Sequence, residues 1–94
     1  MAYTDHEIED VYDLTGGTCF YCGKRLSLRN YGRVGGVGAW EVDHFYPIAS
    51  GGAHQPYNWV PACVACNTEK SDAFPWEFDP DRFRPGDRDP ANYL

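Results

Sequence analysis

Ninety-four residues carrying a net charge of −6 and four cysteines allow one domain and exclude a large self-sufficient core. A chain this short needs a cross-link, a metal or a partner to hold its fold. No apolar run approaches a bilayer crossing and no leader pattern is visible, so the expectation is a cytoplasmic protein with no membrane partner.

The chain begins with Thr4-Asp5-His6-Glu7, a capping-box pattern followed by Ile8, Val11 and Tyr12 at helical spacing and stopped by Gly16-Gly17. This predicts a helix from Asp5 to Leu14, within an N-terminal segment 1–15. A first cysteine pair, Cys19 and Cys22, forms a knuckle ending in Gly23, after which the segment through Leu26 and Leu28 can return as a short strand. The glycine-rich stretch from Gly32 to Gly38 is expected to be a loop or broad hairpin tip. Trp40 to Tyr46 is rich in aromatic and β-branched residues and predicts a strand halted by Pro47. Tyr57 to Val60 predicts a second strand. The second cysteine pair, Cys63 and Cys66, then leads into a short helix over roughly Asn67 to Phe74, stopped by Pro75. The remainder, 75–94, is expected to be an extended Pro- and Asp-rich tail whose aromatics dock back onto the core.

Four cysteines in two Cys-x-x-Cys pairs suit a closed tetrahedral site, the geometry of a structural zinc. A reducing cytoplasm would keep them as thiols. Two disulfides or free thiols are the competing readings. The acidic balance argues against nucleic acid as a partner, but it is uneven. Residues 1–15 hold five acids and no Lys or Arg, whereas Lys24, Arg25, Arg29 and Arg33 follow one another with no acid among them. That run is either a local basic face or a solvated surface.

Between the cysteine pairs lie Asp43 and His44, then Gly51-Gly52 and Asn58; just beyond the last cysteine come Asn67 and Lys70. A histidine titrating near neutrality can take a proton from water, and a carboxylate with an amide oxygen can hold a hard cation, which is the equipment of phosphodiester cleavage. From Leu14 to Asp72 the sequence resembles the zinc-containing subgroup of HNH endonucleases. The resemblance implies a small α+β fold over a single domain, 1–94: a ββα-metal core over 16–74, stapled by a structural zinc on Cys19, Cys22, Cys63 and Cys66. It implies a catalytic set of His44, the general base, and Asn58, which braces the loop carrying it. Asp43 and Asn67 match the metal ligands, Asn67 standing where the motif's last histidine falls. Oxygen ligands of this kind favour magnesium or manganese over zinc.

Lys70, one helical turn beyond Asn67, is placed to reach a substrate phosphate. DNA is the expected partner, acted on by a monomer or weak dimer, with a larger protein that delivers DNA as a further possibility, as in viral members of the family. A zinc-ribbon binding module that has lost catalysis is the competing function. Because neighbours on a strand point to opposite faces, Asp43 and His44 can serve one phosphate only if the strand ends, twists or bulges there. Asn58 alone could be a turn former and Asn67 alone a helix cap. Glu41 has no assigned role. His6 and His54 have no counterpart in the motif and are expected to be solvated.

Overall fold

The computed structural model describes residues 2–94. Its first helix, α1, runs Asp5–Leu14, and its start is closed by the capping box: Thr4 Oγ1 accepts from Glu7 N at 3.1 Å while Glu7 Oε1 accepts from Thr4 N at 2.8 Å. The sequence pattern and the structure agree here because both ends are set by local chemistry. Strand β1 spans Trp40–His44 and strand β2 Trp59–Cys63, pairing antiparallel with His44 opposite Trp59 and Asp43 opposite Val60. Helix α2, Val64–Lys70, follows β2 with no intervening residue. A one-turn helix α3, Pro75–Phe78, and a 3₁₀ turn at Pro90–Tyr93 organise the end of the chain.

Several boundaries differ from expectation, β1 ending at His44 rather than Tyr46 and α2 at Lys70 rather than Phe74. The return through Leu26 and Leu28 is no strand but a lone bridge, Thr18 to Arg25, followed by a 3₁₀ turn over Leu28–Asn30. The second strand lies two to three residues later than the sequence suggests and contains Pro61. Phe45 N donates to Asn58 O, so alternation along the ladder makes Val42 and Pro61 a non-hydrogen-bonded pair. The missing N–H of Pro61 therefore costs the sheet nothing. Helix α2 starts at Val64 rather than Asn67 because Cys63 is its N-cap, the sulfur accepting from Cys66 N at 3.4 Å.

The core is largely aromatic: Trp40, Phe45, Trp59 and Phe83 are buried with Phe20, Tyr21, Val60 and Leu26. As expected, the tail returns to the domain, although it is partly helical. Phe83 lies over Phe20 at 6.0 Å between ring centroids, and the Arg82 guanidinium donates to the Phe20 carbonyl at 2.5 Å. This closes the C-terminal segment over the first cysteine knuckle. Among the described residues no helix is long and apolar enough to cross a membrane.

Candidate active site

The four cysteine sulfurs lie within 4.8 Å of one another, and none is disulfide-bonded. Cys22 Sγ and Cys63 Sγ are 3.8 Å apart, nearly twice an S–S bond of about 2.05 Å. That spacing matches the roughly 3.8 Å edge of a tetrahedron with metal–sulfur bonds of about 2.3 Å. The knuckles are built from backbone: Gly23 N donates to Cys19 O, Cys19 N to Lys24 O, and Cys63 N to Cys19 Sγ. Gly23 takes φ +78°, the left-handed turn that follows Cys22. Four cysteine donors could close a tetrahedral shell with no open position, and a metal held there would tie the 19–22 knuckle to the start of α2.

An open cleft of about 450 Å³ is lined by Asp43 and His44 from β1, Pro47 and Ile48 from the following turn, and Asn67, Thr68, Ser71 and Asp72 from α2 and its end. Pairing is regular through His44, with no bulge; the strand simply ends there. Both neighbours line the cleft, but they are held differently. Asp43 is buried, and its Oδ2 accepts from Tyr21 Oη at 2.5 Å and Lys70 Nζ at 3.2 Å. Burial raises the Asp43 pKa, against the opposing pull of the Lys70 charge and the Tyr21 bond. The same burial, with the Asp43 charge beside it, drives the Tyr21 hydroxyl well above its ordinary value.

His44 is half-buried, and burial lowers its pKa, with charge on His54 and the Lys70 charge acting in the same direction. Its Nε2 lies 3.0 Å from Nδ1 of His54. His54 is exposed, as expected, but the bond to His44 gives it a contact that the sequence did not foresee. The glycine-containing loop folds back so that the His54 ring, though exposed, meets the His44, Trp59 and Tyr3 rings. Nothing in the motif marks this histidine; only its position ten residues after His44, across a Gly-Gly turn, hinted at a return.

Asn58 is buried with its amide fully used. Its Oδ1 accepts from Tyr46 N at 2.8 Å, and its Nδ2 donates to Tyr46 O at 3.0 Å and Ala53 O at 2.9 Å. It clamps the loop that joins His44 to His54 and does not itself reach the cleft. Gly52 sits under the same loop, where a Cβ would run into the Tyr46 carbonyl oxygen.

Asn67 is mid-helix, so the competing role as a cap falls to Cys63, and Asn67 lines the cleft. The expectation that Lys70 reaches a phosphate is corrected. Its side chain is completely buried, with the ammonium committed to Asp43 and to the His44 carbonyl at 3.1 Å. Helical spacing put it one turn from Asn67, but the acid and carbonyl of β1 draw it inward. Of the basic run, Arg25 donates to Gly16 O, and Arg29 and Arg33 share a surface recess with Asp5 and Glu9 of α1.

A two-stranded hairpin whose second strand runs into a helix, with a histidine and carboxylate at the hairpin edge and four cysteines positioned to bind a metal, is a small α+β fold of the metal-binding kind. The family model for HNH endonuclease matches residues 19–73, more than half of the chain, and the chain belongs to that family. Among solved structures it is similar to the Type II-C Cas9 enzyme from Actinomyces naeslundii, with a TM-score of 0.63 and 25% identity over 89% of this chain. The chain spans only 9% of that protein's length. No curated protein sequence matches the chain.

Proposed function

We propose that this protein is a metal-dependent endonuclease that hydrolyses DNA phosphodiester bonds, cutting one strand per site. The observation that carries the reading is the meeting of His44, Asp43 and Asn67 in one open cleft, within a fold whose family members are nucleases. His44 is the general base and takes the proton from the attacking water. The resulting hydroxide adds to phosphorus, the bond to the 3′ oxygen breaks, and that oxygen leaves with a proton from solvent, giving 5′-phosphate and 3′-hydroxyl ends.

Asp43 and Asn67 would hold a single magnesium or manganese ion, the pair of oxygen donors suiting a hard cation. Both side-chain bonds to Asp43 fall on Oδ2. When bound, the ion stabilises charge on the phosphate and on the leaving oxygen. Lys70 acts beneath the site, neutralising the buried Asp43 and holding the His44 carbonyl. Asn58 holds the loop after His44 so that the ring does not swing. The cysteine centre takes zinc, which its sulfur spacing fits.

A DNA-delivering partner is favoured by one observation: Arg29 and Arg33 stand beside Asp5 and Glu9, so the basic run offers DNA less net charge than its sequence suggests. The test is nicking of supercoiled plasmid by the zinc-loaded chain with magnesium, manganese or chelator, beside His44→Ala that keeps its cysteine-bound metal. Metal-dependent nicking that the variant loses supports the reading. Activity retained by His44→Ala, or supported by zinc alone, overturns it, and no nicking with any metal points to a partner-dependent enzyme or a binding module.

A further inference from the structure

The bond between the two imidazoles lies outside everything the HNH motif assigns. We infer that His54 is a positioning residue for the general base: by accepting the Nε2 hydrogen of His44, it fixes the ring so that the Nδ1 lone pair is the one offered to water. This rests on the reading of His44 as the base.

The two nitrogens, His44 Nε2 and His54 Nδ1, are 3.0 Å apart. A neutral imidazole carries one hydrogen and one lone pair, so in this contact one ring donates and the other accepts. If His54 donates from Nδ1, the His44 hydrogen sits on its own Nδ1 and its only lone pair is consumed in the bond. That ring has nowhere to put a proton. If His44 donates from Nε2, its lone pair stays on Nδ1, where no described side chain or backbone group bonds it. The second arrangement leaves both rings in the Nε2–H form, the intrinsically favoured tautomer of neutral histidine, whereas the first needs the minor form in both.

The contact also improves as the reaction proceeds. Once His44 has taken its proton, it still donates from Nε2, now as a cation, and the bond becomes charge-assisted. An interaction stronger after proton transfer than before it favours the transition state. His54 is held in place for this role: its ring centroid is 5.1 Å from that of Trp59 and 5.5 Å from that of Tyr3, and Trp59 is the residue opposite His44 in the sheet. Donor and acceptor are thus both referred to the last rung of the hairpin.

The test reads the ring nitrogens directly. In the zinc-loaded, magnesium-free full chain at pH 8, ¹⁵N chemical shifts should show His44 protonated at Nε2 and bare at Nδ1. His54→Ala should convert this to a tautomer mixture and lower kcat about tenfold with KM unchanged, the effect of losing roughly one hydrogen bond. His54→Asn, whose Oδ1 takes the place of Nδ1 and can only accept, should restore both. A wild-type hydrogen on His44 Nδ1 overturns the inference. So does His54→Ala with unaltered ring shifts, or His54→Asn as impaired as alanine. If instead His44→Ala keeps nicking, the base assignment fails and the inference with it, while the ring shifts still report whether the bond exists.

Discussion

At the scale of single residues, the environment of His44 makes a signed prediction. Burial, reinforced by the Lys70 charge and by any charge on His54, lowers its pKa from the ordinary 6.5. A base with a depressed pKa stays neutral to lower pH, so kcat/KM at saturating magnesium should rise with pH through a midpoint below 6.5 and level off above it. A midpoint on the alkaline side of 6.5 would contradict this account of the ring. Asn58 makes a second prediction. Asn58→Asp replaces a two-hydrogen donor by an acceptor facing the carbonyls of Tyr46 and Ala53. It should cost about 2–4 kcal/mol in chemical denaturation and depress activity in proportion to loop disorder. Asp43, His44 and Asn58 are legible as candidates in the sequence because they fall between the two cysteine pairs, and Asn67 because it directly follows the last cysteine. The His54 contact and the burial of Lys70 were missed for a common reason. Each residue takes its role from a partner that only the folded loop or helix brings near, and neither spacing nor composition encodes which way such a side chain turns.

Among the elements, α2 carries the most consequence, since it supplies both Asn67 to the cleft and Lys70 beneath it. Helix α1 was readable to the residue because its cap and its glycine stop are local. The start of α2 was not, because a cysteine sulfur serves as its cap, and the strand ends were displaced because Pro61 is tolerated at a non-hydrogen-bonded position. Lys70 ties α2 to β1 through a buried ion pair, with Tyr21 of the first knuckle sharing the same carboxylate oxygen. Lys70→Met should therefore destabilise the protein by about 3–5 kcal/mol, because it leaves Asp43 buried without its counter-charge. The double variant with Asp43→Asn should recover part of that loss. Had Lys70 bound phosphate, its removal would flatten the salt dependence of DNA binding; committed as it is to Asp43, it should leave that slope unchanged. Measuring the slope and the unfolding free energy on one variant separates the two roles.

For the molecule as a whole, stability should be inseparable from the cysteine metal and from the tail. A 94-residue chain has little margin, and the metal centre joins the 19–22 knuckle to the base of α2, which carries the cleft. Chelator strong enough to strip the thiolates should therefore unfold the domain rather than merely silence it. The tail reinforces the same junction from outside. Phe83 is fully buried against Phe20, Phe45 and Tyr21, and Arg82 spans the Phe20 carbonyl and both the Phe20 and Phe83 rings. Phe20 lies inside the Cys19–Cys22 knuckle, so loosening the tail loosens the cysteine ligands directly, whereas it reaches the cleft only through Tyr21, which bonds Asp43, and Phe45. Phe83→Ala removes a packed ring at a cost of about 3–5 kcal/mol. It should show its effect first as faster metal loss to a chelating dye and faster alkylation of Cys19 and Cys22. In excess zinc, where binding opposes unfolding, the variant should keep near-native nicking. Loss of nicking in excess zinc, with metal retention unchanged, would mean that the tail acts on the cleft and not on the knuckle.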